Sequence, residues 1–142
     1  MYKIFSSELD ELVMIESTPC HRISRNKKYI RQMITQYKAH PFSTAKIYDS
    51  VNSNINRCAT FAEKVNYPYL LILGEKDMVV DNSAARAWHS KTSSKNKDLK
   101  LMPGAYHELS KEPNNSVMFE TILKFAVRQA NDGVKPFGHL LP

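Results

Sequence analysis

The amino-acid sequence predicts an α/β fold with two parallel strands and flanking helices. From residue 43 onward, the hydrophobic pattern indicates the order helix, strand, helix, strand, helix. Strands that alternate with helices in this way favour a parallel sheet covered by helices on both faces. The 142 residues suit a single domain, and a hydrophobic share of 42% is typical of a soluble globular protein.

Two apolar stripes predict helices before the first strand. The stripe of the first helix follows the spacing i, i+3, i+4 and i+7 and consists of Ile30, Met33, Ile34 and Tyr37. This helix is expected to end near His40, because Pro41 disfavours helical geometry in the residue before it. The stripe of the second helix consists of Ile47, Val51, Ile55, Cys58 and Ala62. Its position on this stripe places Cys58 in the predicted core.

The remaining elements follow from two short apolar runs. Residues 69–73 are apolar on both faces and predict a buried parallel strand, and residues 99–102 predict a second one. Between them, Asp81 is a capable N-cap for a helix that passes through Trp88. The final helix carries an apolar face with Gly133 as its C-cap, and that face consists of Phe119, Ile122, Leu123, Ala126 and Ala130.

Two polar side chains follow the predicted strands at the points where the strands end. Asp77 comes just beyond the first strand, and His107 just beyond the second. The carboxyl ends of parallel strands meet at one rim of a sheet, where ligand chemistry gathers. A carboxylate there can hold one imidazole nitrogen while the other acts as a base. Each residue alone is also compatible with an ordinary role, Asp77 as a turn former and His107 as a surface side chain.

The net charge of +6 is concentrated in residues 22–31, which hold five basic and no acidic residues. Such a cluster can dock on anionic lipid or phosphate, although a solvated helix start is the simpler interpretation. No nucleic-acid-binding motif accompanies it, so nucleic acid is not expected as a partner. No spacing of ligands indicates a metal, and no cofactor is predicted. Two cysteines, no secretory signal and no long apolar run favour a cytoplasmic protein, with peripheral membrane contact as an option.

Residues 68–113 read "PYLLILGEKDMVVDNSAARAWHSKTSSKNKDLKLMPGAYHELSKEP". This segment resembles the C-terminal part of the monoacylglycerol lipase and lysophospholipase group of α/β-hydrolases, in which a strand leads into Gly-x-x-Asp and a later strand into Gly-Ala-Tyr-His. The resemblance extends over about residues 22–130 and includes "ISRNKKYIRQMITQYKAHPF", similar to the segment that leaves the cap of these enzymes. It implies that Asp77 is the acid and His107 the base of a catalytic triad.

The resemblance also implies a division of the chain. Residues 1–40 correspond to a remnant of the helical cap and residues 41–135 to the C-terminal core units. Residues 136–142 show little pattern and are expected to form a tail. The implied substrate is an acyl ester lipid of the monoacylglycerol or lysophospholipid type. The expected fold is therefore the C-terminal portion of an α/β-hydrolase, with part of its cap.

The nucleophile of this fold is a serine in a Gly-x-Ser-x-Gly turn that precedes the triad acid. The four glycines of the chain stand at 74, 104, 133 and 138, and no two of them flank a serine in that way. Cys20 and Cys58 are chemically capable replacements, but neither lies in a strained turn. We therefore expect the chain to be inactive alone. The other readings are a non-catalytic protein that binds a partner at an exposed sheet edge, and a basic membrane-surface binder.

Overall fold

The computed structural model describes residues 14–36 and 42–132. In chain order, its strands and helices are β1 (Met14–Glu16), α1 (Lys27–Thr35), β2 (Phe42–Thr44), α2 (Ala45–Phe61), β3 (Tyr69–Gly74), α3 (Asn82–Lys91), β4 (Lys97–Met102) and α4 (Asn115–Asn131). Short 3-10 turns lie at Cys20–Arg22, Ala62–Lys64 and Leu109–Lys111. The predicted order from residue 43 onward is confirmed, with the short strand β2 added in front of α2.

Strands β3 and β4 form the predicted parallel pair. Their register runs from Tyr69 opposite Lys97 to Gly74 opposite Met102, so β4 begins two residues earlier than the apolar run indicated. The expectation that β3 is buried on both faces is wrong for this chain. Only Leu73 and Gly74 are buried, and the four residues before them are half-buried. Within residues 14–36 and 42–132, β4 is the only strand that pairs with β3.

Side-chain caps fix where three helices begin. The Asp81 carboxylate accepts a hydrogen bond from Ser83 N at 2.8 Å, which confirms Asp81 as the N-cap of α3. Asn26 caps α1 by accepting from Tyr29 N, and Thr44 caps α2 by accepting from Ile47 N. Helix α1 ends at Thr35 and helix α4 at Asn131, before the predicted ends at His40 and Gly133, which themselves lie outside the described residues.

A second, antiparallel sheet was not predicted. Strand β1 pairs with β2, with Met14 opposite Thr44 and Glu16 opposite Phe42. Strands of three residues carry too little periodicity to be found from sequence. The pairing joins the segment interpreted as a cap remnant to the start of the core units, so these two segments share a sheet.

The buried hydrophobic core lies at the carboxyl end of β4. It contains Met102, Ala105 and Met118, with Ile72 and Leu109 packed against it. These residues come from both parallel strands, the loop after β4 and the first turns of α4. The core therefore supports the rim of the sheet that carries Asp77 and His107.

Apart from Ala62, which is buried just after the end of α2, the predicted apolar stripes of α2 and α4 are not buried. The exposed fraction is 60% for Ile55 and 63% for Leu123, and other exposed apolar side chains on these helices are Ile47, Tyr48, Val51, Phe119, Ile122 and Val127. Cys58 is also exposed, so its predicted place in the core is wrong. Helical periodicity identifies a face that can be buried, but it does not say whether the same chain covers that face. No helix in the described ranges is long and apolar enough to cross a membrane.

Gly74 permits the close approach of two loops at the rim. A Cβ atom added there would lie 2.3 Å from the carbonyl oxygen of Tyr106 and 2.8 Å from that of Ala105. Both neighbours are backbone atoms, so they cannot move aside as a flexible side chain would. The absence of a side chain at Gly74 is therefore required for the loop that carries His107 to lie against the end of β3.

We predict that Gly74→Ala lowers the free energy of unfolding by about 1–3 kcal/mol, the usual cost of forcing extra atoms into a packed site. Urea denaturation monitored by circular dichroism measures the change. The control is Ser53→Ala on the exposed surface of α2, which should stay within about 0.5 kcal/mol of the parent chain. A Gly74→Ala variant as stable as the parent would contradict the described contact.

Candidate active site

The ends of the two parallel strands bring Asp77 and His107 together. Asp77 follows β3 by three residues, and His107 follows β4 by five. The distance from His107 Nδ1 to Asp77 Oδ2 is 3.0 Å. The two residues predicted from the sequence to share the rim are therefore hydrogen-bonded neighbours in the fold.

The Asp77 carboxylate is fixed by the backbone of its own loop. Its Oδ1 atom accepts hydrogen bonds from Val79 N at 2.8 Å and from Val80 N at 3.0 Å. Partial burial raises the pKa of Asp77, but the Val80 and Val79 N–H groups and His107 outweigh that effect, so the pKa lies below its ordinary value. Asp77 is thus ionised at neutral pH, and it can only accept from the imidazole.

This geometry determines the tautomer of His107. Because an ionised carboxylate accepts but cannot donate, His107 Nδ1 must carry the proton that lies between them. In the neutral imidazole, Nε2 then holds a free lone pair. Among the described residues, none forms a hydrogen bond with Nε2, and the His107 side chain is 38% exposed. The pair can accept a proton at Nε2 from a group approaching from outside, with the resulting cation stabilised by Asp77.

Backbone hydrogen bonds hold the two loops of the rim against each other. Lys76 N donates to Ala105 O at 2.9 Å, and Glu75 N donates to Met102 O at 3.0 Å. The Glu75 carboxylate in turn accepts from Gly104 N at 2.7 Å. Gly104 has a φ of +64°, a conformation that favours glycine in the turn between β4 and His107. The Asp77–His107 distance is consequently set by backbone contacts.

Glu112 forms a buried hub beneath the His107 loop. Its side chain is 3% exposed, and its Oε1 atom accepts from Ser24 Oγ at 2.8 Å and from Arg25 N at 2.7 Å. Its Oε2 atom accepts from Arg25 Nε at 2.6 Å and from Tyr106 N at 3.2 Å. A further bond from Glu108 N to Ile23 O, at 2.8 Å, supports the same junction. The segment before α1 is thus fastened to the residues on either side of His107.

The hydrogen bonds to Glu112 also determine its charge. Burial raises the pKa of Glu112, but the Arg25 N–H and guanidinium groups, the Ser24 hydroxyl and the Tyr106 N–H lower it, and the net pKa lies below the ordinary range. Sequence reasoning missed Glu112, because its partners on the segment before α1 lie 87 and 88 residues away and no local pattern indicates burial. The sequence shows only a serine and an arginine before α1 and a glutamate after His107, and these residues do not by themselves indicate a contact.

The remaining candidates do not join this site. Cys20 is half-buried at a 3-10 turn and Cys58 is exposed on α2, and both are free thiols. In the part of the chain that the structure describes, no group of three or more His, Cys, Asp or Glu side chains is placed to hold a metal ion. Asp77 and His107 are therefore the residues whose arrangement supports acid–base chemistry.

Parallel strands with an acid and a histidine on adjacent carboxyl ends are typical of α/β-hydrolases. The family model described as serine aminopeptidase, S33, matches residues 1–114. The chain belongs to this serine hydrolase family. This finding and the relatives below confirm the resemblance seen in residues 68–113.

One curated protein and two solved structures are similar to the chain. Human monoglyceride lipase is 33% identical over 82 residues, which are 56% of this chain and 27% of that protein. The crystal structure of Paleococcus ferrophilus monoacylglycerol lipase superposes with a TM-score of 0.74 at 24% identity and covers 82% of this chain. A soluble variant of Saccharomyces cerevisiae monoglyceride lipase, solved with a substrate analogue, gives a TM-score of 0.70 at 17% identity over 84% of this chain.

The chain spans less than half the length of these relatives. It covers 46% of the archaeal structure and 45% of the yeast structure. The described fold is a mixed α/β arrangement with two parallel strands and flanking helices, and it matches part of these structures.

We predict that Glu112→Gln lowers the free energy of unfolding by about 1–3 kcal/mol at neutral pH, because an amide NH2 would face donors that now bind a carboxylate oxygen. Urea denaturation is the measurement. Glu120→Gln makes the same chemical change on the exposed surface of α4 and should have little effect.

The pH dependence gives the same interaction a second test. Because the pKa of Glu112 is lowered by folding, its stabilisation is fully present above the ordinary glutamate value of about 4.3 and is lost as the pH falls through the lowered folded-state pKa. The pKa of Asp77 is shifted in the same direction. The Glu112→Gln variant should therefore lose less stability than the parent on acidification, and identical pH profiles would contradict the assignment.

Proposed function

We propose that this chain is the acid–base portion of a serine hydrolase that cleaves a carboxylic ester of monoacylglycerol or lysophospholipid type. The observation that carries the proposal is the bond from His107 Nδ1 to Asp77 Oδ2, which leaves Nε2 free at the sheet rim. Family membership and the relatives named as monoacylglycerol lipases support the ester class. The yeast relative, solved with a substrate analogue, supports a lipid ester as the substrate.

In the proposed reaction, a serine hydroxyl attacks the acyl carbonyl while His107 Nε2 removes its proton. The protonated His107 then gives that proton to the glycerol oxygen as the ester bond breaks, and water repeats the sequence to release the fatty acid. Asp77 keeps Nδ1 protonated and stabilises the imidazolium. Asp77 orients His107 and stabilises its positive charge. The Asp77 oxygens already accept hydrogen bonds from Val79 N, Val80 N and His107, so Asp77 does not act on the substrate itself.

The serine and the donors that stabilise the oxyanion belong, in this proposal, to the remainder of the hydrolase domain. The exposed apolar faces of α2 and α4 support this assignment, because a continuous apolar helix face normally packs against another layer of the fold. Strand β3 supports it as well, since within the described residues it pairs on one side only. The free thiols Cys20 and Cys58 suit a reducing, cytoplasmic setting.

The same exposed faces favour a second candidate, a non-catalytic protein that binds a partner through them. The two candidates differ in what the upstream coding sequence contains. A transcript with a strand and a Gly-x-Ser-x-Gly turn in frame before the Met1 codon supports the hydrolase. A genuine in-frame stop there would contradict a single-chain hydrolase and favour the partner-binding protein.

We expect a fluorophosphonate probe to leave the purified 142-residue chain unlabelled, because the chain contains no serine in a nucleophile turn. In-gel fluorescence after probe treatment is the measurement, with an active serine hydrolase as the positive control. Covalent labelling of this chain would overturn the assignment of the nucleophile to another segment.

In the proposed longer hydrolase that includes the nucleophilic serine, Asp77→Asn should lower kcat roughly ten-thousand-fold, because the imidazole of His107 would adopt the wrong tautomer. Hydrolysis of 1-decanoylglycerol measures kcat. The control is Asp98→Asn, which removes an exposed ion pair with Arg128 near the other end of β4 and should leave kcat within about twofold. Equal losses in the two variants would remove Asp77 from the mechanism.

A further inference from the structure

A cleft of about 550 Å³ is lined by helix α1, by the segment before it and by Tyr106 in the loop that carries His107. One wall is a single face of α1 with the spacing i, i+3, i+4 and i+7, made up of Lys27, Ile30, Arg31 and Ile34. Tyr106, the neighbour of His107 in sequence, also lines the cleft. The volume falls within the range of about 300–1,000 Å³ that is usual for small-ligand sites.

The charged residues that line the cleft are all basic. Its lining contains no acidic residue among those the structure describes. Arg25 contributes to the lining, but its charge is matched by Glu112 at 2.6 Å. In residues 14–36 and 42–132, neither Lys27 nor Arg31 forms an ion pair, and both are exposed. Two cations one helical turn apart therefore face the cleft without a counter-charge from the described residues.

The apolar part of the cleft lies beside these cations. Ile30 and Ile34 alternate with Lys27 and Arg31 along the same face of α1, and Ile34 is 59% exposed. A cation and the isoleucine three positions after it lie about 5–6 Å apart on a helix, so a ligand can touch both at once. A ligand complementary to this wall has an anionic group joined directly to a hydrocarbon segment.

We infer that this cleft binds the terminal phosphate monoester of a single-chain phospholipid, with Lys27 and Arg31 on the phosphate and Ile30 and Ile34 against the adjoining carbons. A terminal phosphate carries about −1.5 to −2 charge at neutral pH, which matches two cations better than the single charge of a carboxylate does. A guanidinium also binds phosphate oxygens in pairs. Monoacylglycerol has no anionic group that Lys27 and Arg31 could bind.

The inference rests on the proposed function in one respect, since it selects the phosphate-bearing lipid from the two ester classes named there. A binding measurement, which needs no catalytic turnover, tests the phosphate site. A negative result for this site therefore leaves the proposed hydrolase function standing, and the reverse also holds. A chain that binds as expected but never yields an active hydrolase would contradict only the proposed function.

Isothermal titration calorimetry on the purified chain uses 1-decanoyl-glycero-3-phosphate below its micellar concentration. We expect it to bind at least tenfold more tightly than 1-decanoylglycerol, glycerol 3-phosphate or decanoate, because only the first ligand satisfies both the cations and the apolar wall. Its affinity should also fall as salt is added. Equal affinity for 1-decanoylglycerol would overturn the inference, and equal affinity for decanoate would overturn the choice of phosphate.

Paired variants separate the cleft from a general basic surface. The double variant Lys27→Gln with Arg31→Gln should remove the preference for the phosphate ligand over 1-decanoylglycerol. The matched control is Arg22→Gln with Lys28→Gln, which deletes the same charge from exposed positions outside the cleft lining and should keep the preference. Circular dichroism verifies that all variants fold. Equal losses in the two double variants would indicate a diffuse membrane-surface patch and would overturn the site.

Discussion

The buried carboxylate of Glu112 is the interaction on which the arrangement of the rim depends. A carboxylate that is 3% exposed is costly to bury unless its oxygens are fully hydrogen-bonded. Here the four donors come from Ser24, Arg25 and Tyr106, so the cost is offset only when the segment before α1 and the His107 loop are both in place. The charge of Glu112 thus couples two distant parts of the chain into one site.

The close approach at Gly74 provides the complementary constraint from the other side of the loop. Glu112 binds the backbone N–H of Tyr106, and Gly74 makes room for the carbonyl oxygen of the same residue. A hydrogen bond between Asp77 and the solvent-exposed ring of His107 would by itself be weakly ordered. Because the backbone on each side of it is held by buried or packed groups, the pair keeps its 3.0 Å separation although His107 is open to solvent.

The sequence predicted those features that depend on local pattern. Alternating apolar runs and stripes located the parallel strands and helices, and strand ends located Asp77 and His107 at one rim. The Glu112 hub could not be found in this way, since hydrogen bonds across 87 residues leave no periodic signal. The exposure of Cys58 and Leu123 was missed for a related reason: a stripe shows that a face is apolar, whereas its burial depends on a layer that has to pack against it.

Asp77 holds His107 with Nδ1 protonated and Nε2 free to accept a proton. Nitrogen-15 NMR of the neutral imidazole, in protein labelled at histidine, reports the tautomer directly. We expect a protonated Nδ1 and a bare Nε2 for His107, with this preference lost in Asp77→Asn. A His107 signal with the proton mainly on Nε2, unchanged by Asp77→Asn, would show that Asp77 does not determine the tautomer.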